Sequence, residues 1–407
     1  MANRSRAVGA LCLAAGLGLG GVGHAMTLTT DFHNLTPDRG MGSGLNKYGW
    51  SAVAPSDGYL YVGSFNVNVD YFSLPTYLGQ IAAADDVLTA ATDGFRRFWL
   101  GNPATASTGG EIWRTDGHVW EQVLKTGPEE VGFRGLAEYK GAIYAASANG
   151  PNGPMPDDAA YEVGTTVTYD PNRDGTKIYR SFDGTTWEEV SGGPSDNVFN
   201  TSVRSLTVID HKLYVATENA VTGAELHSFD GTSWTTEVVL NDGGMPEGIA
   251  ISEVIEYKGK PTFGTWLSGD QRFQVLQLQN DGSLVDLTPK FSDPTVFDQI
   301  TGVMELREYD GQLYVGTLGY LGGFALVRSS DPHNAGIDEW EVITSDGFGT
   351  EFAAQGGTSA NAYPWSSVVI DGVYYLGTFQ TNSESSVIDE KLGFDVPLLD
   401  GRGQIWY

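Results

Sequence analysis

The sequence MELREYDGQLYVGT, from Met304 to Thr317, decides the fold that we predict. Two runs in which apolar residues alternate with other residues flank an Asp-Gly pair, and the second run ends in small residues. Asp-Gly between such runs is typical of a tight β-hairpin, because glycine tolerates the positive φ angles that these turns require. The stretch therefore predicts two antiparallel strands.

Copies of this stretch recur along the chain. They are WSAVAPSDGYLYVGS from Trp50, RGLAEYKGAIYAAS from Arg134, RSLTVIDHKLYVAT from Arg204, SEVIEYKGKPTFGT from Ser252 and SSVVIDGVYYLGT from Ser366. Most are followed by a second hairpin, such as TKIYRSFDGTTWEEV from Thr176. Each unit thus predicts a four-stranded antiparallel meander, and a ring of such meanders is a β-propeller.

The two ends of the chain predict how the array closes. NKYGWS at 46–51 and NAYPWS at 361–366 are nearly identical, and the chain stops after QIWY at 404–407, a third strand without a fourth. The segment MTLTTDF, Met26–Phe32, matches an outer strand and is expected to complete the last blade, which removes exposed sheet edges. We therefore predict an all-β, six-bladed β-propeller of four-stranded antiparallel blades, closed by the N-terminal strand. Seven blades are the alternative, if the segment 67–109 contains further strands.

Residues 1–25 have the pattern of a secretory signal peptide. Arg4 and Arg6 precede an apolar run rich in Gly, Ala and Leu, and the run ends in small residues up to Ala25. The run is too short and too rich in glycine for a membrane span. We expect a signal peptide that is cleaved, leaving a single propeller domain, 26–407, in the bacterial periplasm or outside the cell.

The chain is strongly acidic, with a formal net charge of −28 at pH 7. Loss of the two arginines of the leader would bring the charge to about −30. Such an excess repels nucleic acid and anionic membranes, so neither is an expected partner, although acidity also simply keeps an exported protein soluble. The only cysteine, Cys12, lies in the leader, so the exported chain is expected to form no disulfide and no thiolate metal site.

Three long insertions interrupt the repeats, at 67–109, 149–176 and 380–403. All three join strands on the same side of the predicted ring, whereas the other side has mostly minimal turns. Blades six, one and two are neighbours in a closed ring, so the insertions should crowd into one sector. Loops on a rigid scaffold often build sites, and the loop-rich side is therefore the candidate functional face.

Repeat alignment directs one residue of each inner strand toward the central channel on this side. These residues are Trp50, Arg134, Arg204, Ser252, Met304 and Trp365. The residues nearby are Tyr48 and Tyr363, two positions before the tryptophans, and Asn66, Asn149, Glu218, Trp266, Tyr320 and Gln380, where the second strands end.

Aromatic rings pack on sugar faces, and arginine holds a carboxylate through two hydrogen bonds. A site for a glycan or a similar small polar ligand is therefore predicted at Tyr48, Trp50, Arg134, Arg204, Trp266, Tyr363 and Trp365. In the alternative interpretation, the tryptophans fill the channel and the arginines pair with acidic neighbours such as Glu253 or Glu305.

The stretch DPNRDG, 170–175, has the Asp-x-Asn-x-Asp-Gly opening of a calcium loop, with Asp170, Asn172 and Asp174 as candidate ligands. Position twelve is Ser181 instead of the usual glutamate, and an ordinary turn-rich loop is the alternative. The sequence has no nucleotide-binding glycine pattern or serine elbow, and its histidines lack metal-ligand spacing. Calcium is thus the one candidate cofactor, and no nucleotide, haem or flavin is indicated.

Two second-hairpin segments, RSFDGTTWEEV from Arg180 and HSFDGTSWTTEV from His227, resemble the Asp-box of sialidases and related propellers. The matching residues are Ser181, Asp183, Gly184 and Trp187 in one copy and Ser228, Asp230, Gly231 and Trp234 in the other. Both copies lack one residue between the aspartate and the glycine. The resemblance implies a propeller but no activity, because the box stabilises a turn away from the sialidase active site. The arginine triad of that family is not matched, since only Arg134 and Arg204 occupy inward positions. The chain after the leader also resembles a group of secreted bacterial propellers that contain LYVGT and EIWR motifs.

Three functions fit this sequence. The first is a binding protein for a glycan, and the second is a glycoside hydrolase or polysaccharide lyase that uses Tyr48 or Tyr363, an arginine and a carboxylate. The third is a scaffold that binds another protein. A channel carboxylate with a strongly shifted pKa would favour the enzyme, and a flat apolar rim would favour the scaffold. The fold alone does not choose between them.

Overall fold

The predicted inner hairpins are all present in the structure, a computed structural model of the chain. It describes residues 46–66, 108–149, 175–219, 222–241, 248–266, 273–297, 300–319, 323–348, 361–380 and 405–406. Across these ranges the regular structure is antiparallel β-strand, apart from two short 3-10 turns at Gly193–Asp196 and Pro294–Phe297. The expected all-β class is confirmed.

The strands follow the order of the sequence repeats. The first three meanders contain β1 (Asn46–Val53), β2 (Leu60–Asn66), β3 (Glu111–Thr115), β4 (Trp120–Lys125), β5 (Glu130–Tyr139), β6 (Ala142–Asn149), β7 (Ile178–Ser181), β8 (Glu188–Glu189), β9 (Ser202–Ile209), β10 (Lys212–Glu218), β11 (Glu225–Phe229) and β12 (Trp234–Val239). The others contain β13 (Ala250–Tyr257), β14 (Lys260–Trp266), β15 (Val275–Leu278), β16 (Leu284–Asp286), β17 (Ile300–Tyr309), β18 (Gln312–Gly319), β19 (Leu326–Ser329), β20 (Glu341–Thr344), β21 (Asn361–Ile370), β22 (Val373–Gln380) and β23 (Ile405–Trp406).

Consecutive strands pair within each meander. Five meanders show four strands each, from β1 to β20, and a further sheet consists of β21, β22 and β23. Strand β23 pairs with β22 as the predicted third strand of that sheet. The segment 26–32 lies outside the described residues, so its completion of this sheet, the closure of the ring and the number of blades stay predictions.

The turns between the inner two strands show why the sequence pairs matter. Both central residues have φ between 45° and 76° at Lys140-Gly141, Asp210-His211, Lys258-Gly259, Asp310-Gly311 and Asp371-Gly372. Positive φ at both positions defines the type I′ turn, whose twist matches that of the flanking strands. The short turns predicted from the sequence are thus the elements that fix the hairpin register.

Successive meanders stack face to face. The second strand of one meander pairs at its end with the inner strand of the next, as in Phe65 with Gly132 and Trp266 with Gly302. Apolar side chains fill the space between the sheets, and Tyr61 of the first meander packs in one buried cluster with Phe133 of the second. Sheets joined edge to edge at one end and packed along their faces have the arrangement of propeller blades.

Small residues in the second strands allow this close stacking. A Cβ added at Gly264 would lie 2.5 Å from a side-chain carbon of Val303, and one at Gly316 would lie 2.6 Å from Pro364. In both cases the obstacle is the inner strand of the next meander. The small strand ends noted in the sequence are therefore required by packing.

Candidate functional site at the inner bulges

Every inner strand contains a β-bulge at the same place. The register of pairing with the second strand skips one residue at this place. The skipped residues are Trp50, Arg134, Arg204, Ser252, Met304 and Trp365. These are the six residues that repeat alignment directed toward the channel. A bulge bends the strand and re-aims the side chain of its extra residue. The alignment thus identified six equivalent positions at which the strand register shifts.

Arg204 connects three meanders at this level. Its Nη1 donates to Glu218 Oε2 at 3.0 Å, its Nη2 lies 3.9 Å from the sulfur of Met304, and its guanidinium lies 4.5 Å from the ring centre of Trp266. The side chain is 5 % exposed. Two of the predicted ligand-binding residues, Arg204 and Trp266, are therefore brought together, and the acid that pairs with Arg204 is Glu218 and not Glu253 or Glu305.

Two further pairs of predicted residues are also in contact. The guanidinium of Arg134 lies 5.2 Å from the ring centre of Trp50, whose edge packs against Phe65. Tyr363 and Trp365 stack with ring centres 5.6 Å apart and 23° between their planes. The bulge region thus has cationic groups on aromatic faces and one parallel pair of rings.

Two buried carboxyl groups lie next to the bulge residues, at the repeat position that holds serine or glycine elsewhere. Glu253 follows Ser252, and Glu305 follows Met304. Burial raises the pKa of Glu253 well above its usual value, and the charge of Glu305 raises it further, while Arg307, Arg134 and Arg204 oppose the rise. Glu253 keeps some accessible surface although protein surrounds it.

Glu305 is held more firmly. It is 2 % exposed, it accepts a short hydrogen bond from the Ser367 hydroxyl, and one of its oxygens lies 3.7 Å from Nε of Arg307. Burial raises the pKa of Glu305, whereas the bond from Ser367 and the charge of Arg307 lower it. Glu253 and Glu305 are therefore neighbouring carboxyl groups in different surroundings, and burial raises the pKa of both.

Repeat analysis did not assign this pair a role in the site, although both residues are visible in SEVIEY and MELREY. Their equivalence, one residue after each bulge, is the signal that would have singled them out. What the sequence could not show is that the two glutamates lie close enough for the charge of Glu305 to raise the pKa of Glu253.

Other predicted residues have internal roles or lie outside the described part. Asn66 is fully buried and accepts a hydrogen bond from the amide of Thr108 at 2.9 Å. The side chain of Tyr48 and the calcium loop with Asp170, Asn172 and Asp174 are outside the described residues, as is most of each insertion. Within the described ranges, no group of three or more His, Cys, Asp or Glu side chains could hold a metal ion. Those ranges also contain no helix with the length and apolar character to cross a membrane.

No family model matches the chain, and no curated protein matches it. Among solved structures, it is similar to a protein of unknown function from Dyadobacter fermentans, with 11% identity, a TM-score of 0.46 and coverage of 88% of this chain and 92% of the other. It is also similar to a GH43 endo-arabinanase from Bacillus licheniformis, with 12% identity, a TM-score of 0.33 and coverage of 61% and 88%. A third similar structure is the Trypanosoma rangeli sialidase in complex with sialic acid, with 13% identity, a TM-score of 0.36 and coverage of 65% and 45%. At these values the similarities assign no activity to this chain.

Proposed function

We propose that the protein binds a glycan at the bulge ends of its inner strands. The observation that carries the proposal is the set of six equivalent bulges, four of which present a tryptophan or an arginine. A bulge re-aims the side chain of its extra residue, which can then face a ligand. Different residue types at equivalent positions are expected of a ligand site, because a ligand lacks the symmetry of the repeats.

The residue types suit a sugar. Stacked rings such as Tyr363 and Trp365 offer a flat apolar face to a pyranose, and guanidinium groups donate to hydroxyl or carboxylate oxygens. The six-bladed closed ring, the export of the chain and the calcium site at 170–174 belong to the same proposal. Ring closure would bring the first and last meanders, with Trp50 and Trp365, to adjacent positions.

A glycan array probed with the exported chain, with and without a chelator, tests the proposal. We expect binding to a limited set of polysaccharides. In titrations of the best binder, Trp365→Ala should weaken affinity roughly tenfold, which corresponds to about 1.4 kcal/mol and is in the range of an aromatic stacking contact.

Trp120→Ala is the matched control, because Trp120 is a half-buried tryptophan on the outer strand β4. It should leave the affinity within about twofold of the native value, since Trp120 pairs with Thr115 at the turn end of its meander. Absence of binding across the array, or equal losses in both variants, would contradict the proposal.

Hydrolysis of the bound glycan is a second candidate, favoured by the Glu253 and Glu305 pair. A carboxyl group with a raised pKa can protonate the glycosidic oxygen, and a neighbouring carboxylate can accept a proton from the attacking water. Release of reducing ends from the best binder tests this candidate. Glu253→Gln should abolish the release while binding persists. Binding without any product would leave the protein as a binder only.

A further inference from the structure

The guanidinium of Arg204 is incompletely hydrogen-bonded. Nη1 donates to Glu218. Within the described residues, Nε is buried without a hydrogen-bond partner, and Nη2 has the Met304 sulfur at 3.9 Å. A thioether is a weak acceptor. The side of the guanidinium formed by Nε and Nη2, which we call the open edge, therefore lacks a strong acceptor.

Other arginines of this chain show the same edge filled. In Arg328, Nε and Nη2 donate to the two carboxylate oxygens of Glu341 at 2.8 and 2.9 Å. In Arg307 they donate to the hydroxyl and carbonyl oxygens of Ser367 at 2.8 and 2.9 Å. In Arg307 and Arg328, oxygen atoms thus accept hydrogen bonds from both Nε and Nη2, which is not the case for Arg204 within the described residues.

An unpaired buried donor on a charged group destabilises the folded protein, because it has lost water without gaining an acceptor. An anion with two oxygens in one plane would satisfy Nε and Nη2 together, in the side-on geometry that arginine shows with carboxylates. Met304 is the group to be displaced, and a long, unbranched side chain can move at low cost.

The surrounding charge favours an anion as well. The positive charges of Arg134, Arg204 and Arg307 lower the pKa of Glu253, whereas burial raises it and favours the neutral carboxyl group. Glu305 and Glu218 balance part of the positive charge. In a chain with a net charge of −28, three guanidinium groups around one carboxyl group are a local exception to the acidic composition.

We propose that the open edge of Arg204 binds the anionic group of an acidic sugar, taking the place of the Met304 thioether. The anion is a pair of oxygens on a ring substituent, from a uronic acid carboxylate or from a sulfate ester. This inference rests on the proposed glycan binding and specifies its ligand class. Trp266, beneath the guanidinium, keeps the arginine plane fixed while the edge exchanges its partner.

Paired oligosaccharides test the inference on the unaltered protein. Oligogalacturonate is compared with its methyl ester, and a sulfated galactan oligosaccharide with its desulfated form, by calorimetry at constant ionic strength. We expect the charged member of one pair to bind at least about tenfold more tightly, as befits hydrogen bonds to a charged group. The pair that shows the difference identifies the source of the anion.

Substitution of Arg204 then tests whether this residue causes the preference for charged oligosaccharides. Arg204→Lys keeps the positive charge but removes the two-pronged edge, so it should remove most of the preference for the charged member. Arg328→Lys is the matched control, because its edge is already occupied by Glu341, and it should keep the preference. Thermal unfolding of each variant shows that the loss is measured on folded protein.

The outcomes separate the two proposals. If both members of each pair bind equally, the anion inference is wrong while glycan binding stands. If neither member of any pair binds and the glycan array is empty, both fail. A preference that survives in Arg204→Lys would overturn the assignment to the open edge, even with a clear difference between charged and neutral sugars.

Discussion

At the turn end of the inner strands, the second and fifth meanders make the same tyrosine contact with the turn of the next meander, whereas at the bulge end the six equivalent positions hold four different residue types. Tyr139 donates to the backbone oxygen of His211 in the next turn at 2.8 Å, and Tyr309 donates to that of Gly372 at 2.6 Å. The bulge end is more varied, since tryptophan, arginine, serine and methionine occupy equivalent places. Repetition fits a part whose task is stacking, and variation fits a part that contacts something asymmetric.

The comparison predicts that a cavity at the turn end costs stability without changing ligand affinity. Leu213, next to the turn at Asp210-His211, is 0% exposed and packs in one buried cluster with Tyr139 and Phe229. Leu213→Ala should lower the free energy of unfolding by about 2–5 kcal/mol. Chemical denaturation measures this loss, and calorimetry on the folded protein should find the glycan affinity unchanged.

Val119→Ala is the control, because Val119 is 67% exposed and should change stability by less than about 0.5 kcal/mol. A fall in ligand affinity in folded Leu213→Ala would contradict the claim that the turn end serves stability and the bulge end serves ligand binding.

Glu253 at the bulge end should make stability depend on pH. Its pKa is raised in the folded protein, so above pH 4.5, its usual value, the unfolded chain loses the proton first and the folded state becomes relatively less stable. Glu253→Gln removes this loss and should raise the unfolding free energy near pH 7.5, with little change near pH 4. Glu305, Arg307, Arg134 and Arg204 share this environment and remain in the variant.

Denaturation at the two pH values measures the difference, with Glu138→Gln at the turn end as the matched control. Glu138 is exposed and accepts hydrogen bonds from Ser56. A loss of stability in Glu253→Gln that is larger at pH 7.5 than at pH 4 would show that its ionised form is favoured.

Glu130, at the start of β5, should show a smaller effect of the same sign. Burial raises its pKa to about 6, although Tyr179 donates to it and Lys177 lies 3.8 Å away. As pH rises from about 4.5 to 6, the unfolded chain ionises before the folded one. Folding then loses about 2 kcal/mol. Glu130→Gln should recover that amount at pH 7.5, and an NMR titration of the carboxyl group checks the pKa directly.

The repeated tyrosine contact should have the smallest effect. Tyr139→Phe removes only the hydroxyl that bonds His211, and the expected loss is about 1 kcal/mol of unfolding free energy. Tyr59→Phe is the control, because no hydrogen bond of its hydroxyl is found within the described residues. If Tyr59→Phe lowered the unfolding free energy as much as Tyr139→Phe, the hydrogen bond from Tyr139 to His211 would not be the cause of the loss.

Much of the fold could be predicted from the sequence, because its determinants are local. Lys-Gly and Asp-Gly pairs specify type I′ turns, and alternating apolar residues specify the strands between them. Repeat alignment also found the six bulge residues, since a bulge recurs wherever the same strand recurs. The position of QIWY beside β22 followed from the same repetition.

The pairings within the candidate site could not be predicted in this way. Arg204 contacts Glu218 in its own meander but Trp266 and Met304 in two others, and alignment gives no distance between meanders. The effect of Glu305 on the pKa of Glu253 likewise depends on how β13 and β17 are oriented relative to each other. The repeat predicted which way the bulge side chains point, but the residues that they contact could be identified only from the three-dimensional structure.

The bulges have a practical consequence for protein engineering. Because the extra residues occupy equivalent places at the end of the inner strands away from the turns, their side chains can be exchanged while the type I′ turns stay unchanged. Six such sites, one per inner strand, amount to a ready-made set of randomisable positions on a single scaffold. A combinatorial library confined to them varies the proposed ligand contacts while it leaves the turns that fix the hairpin register intact.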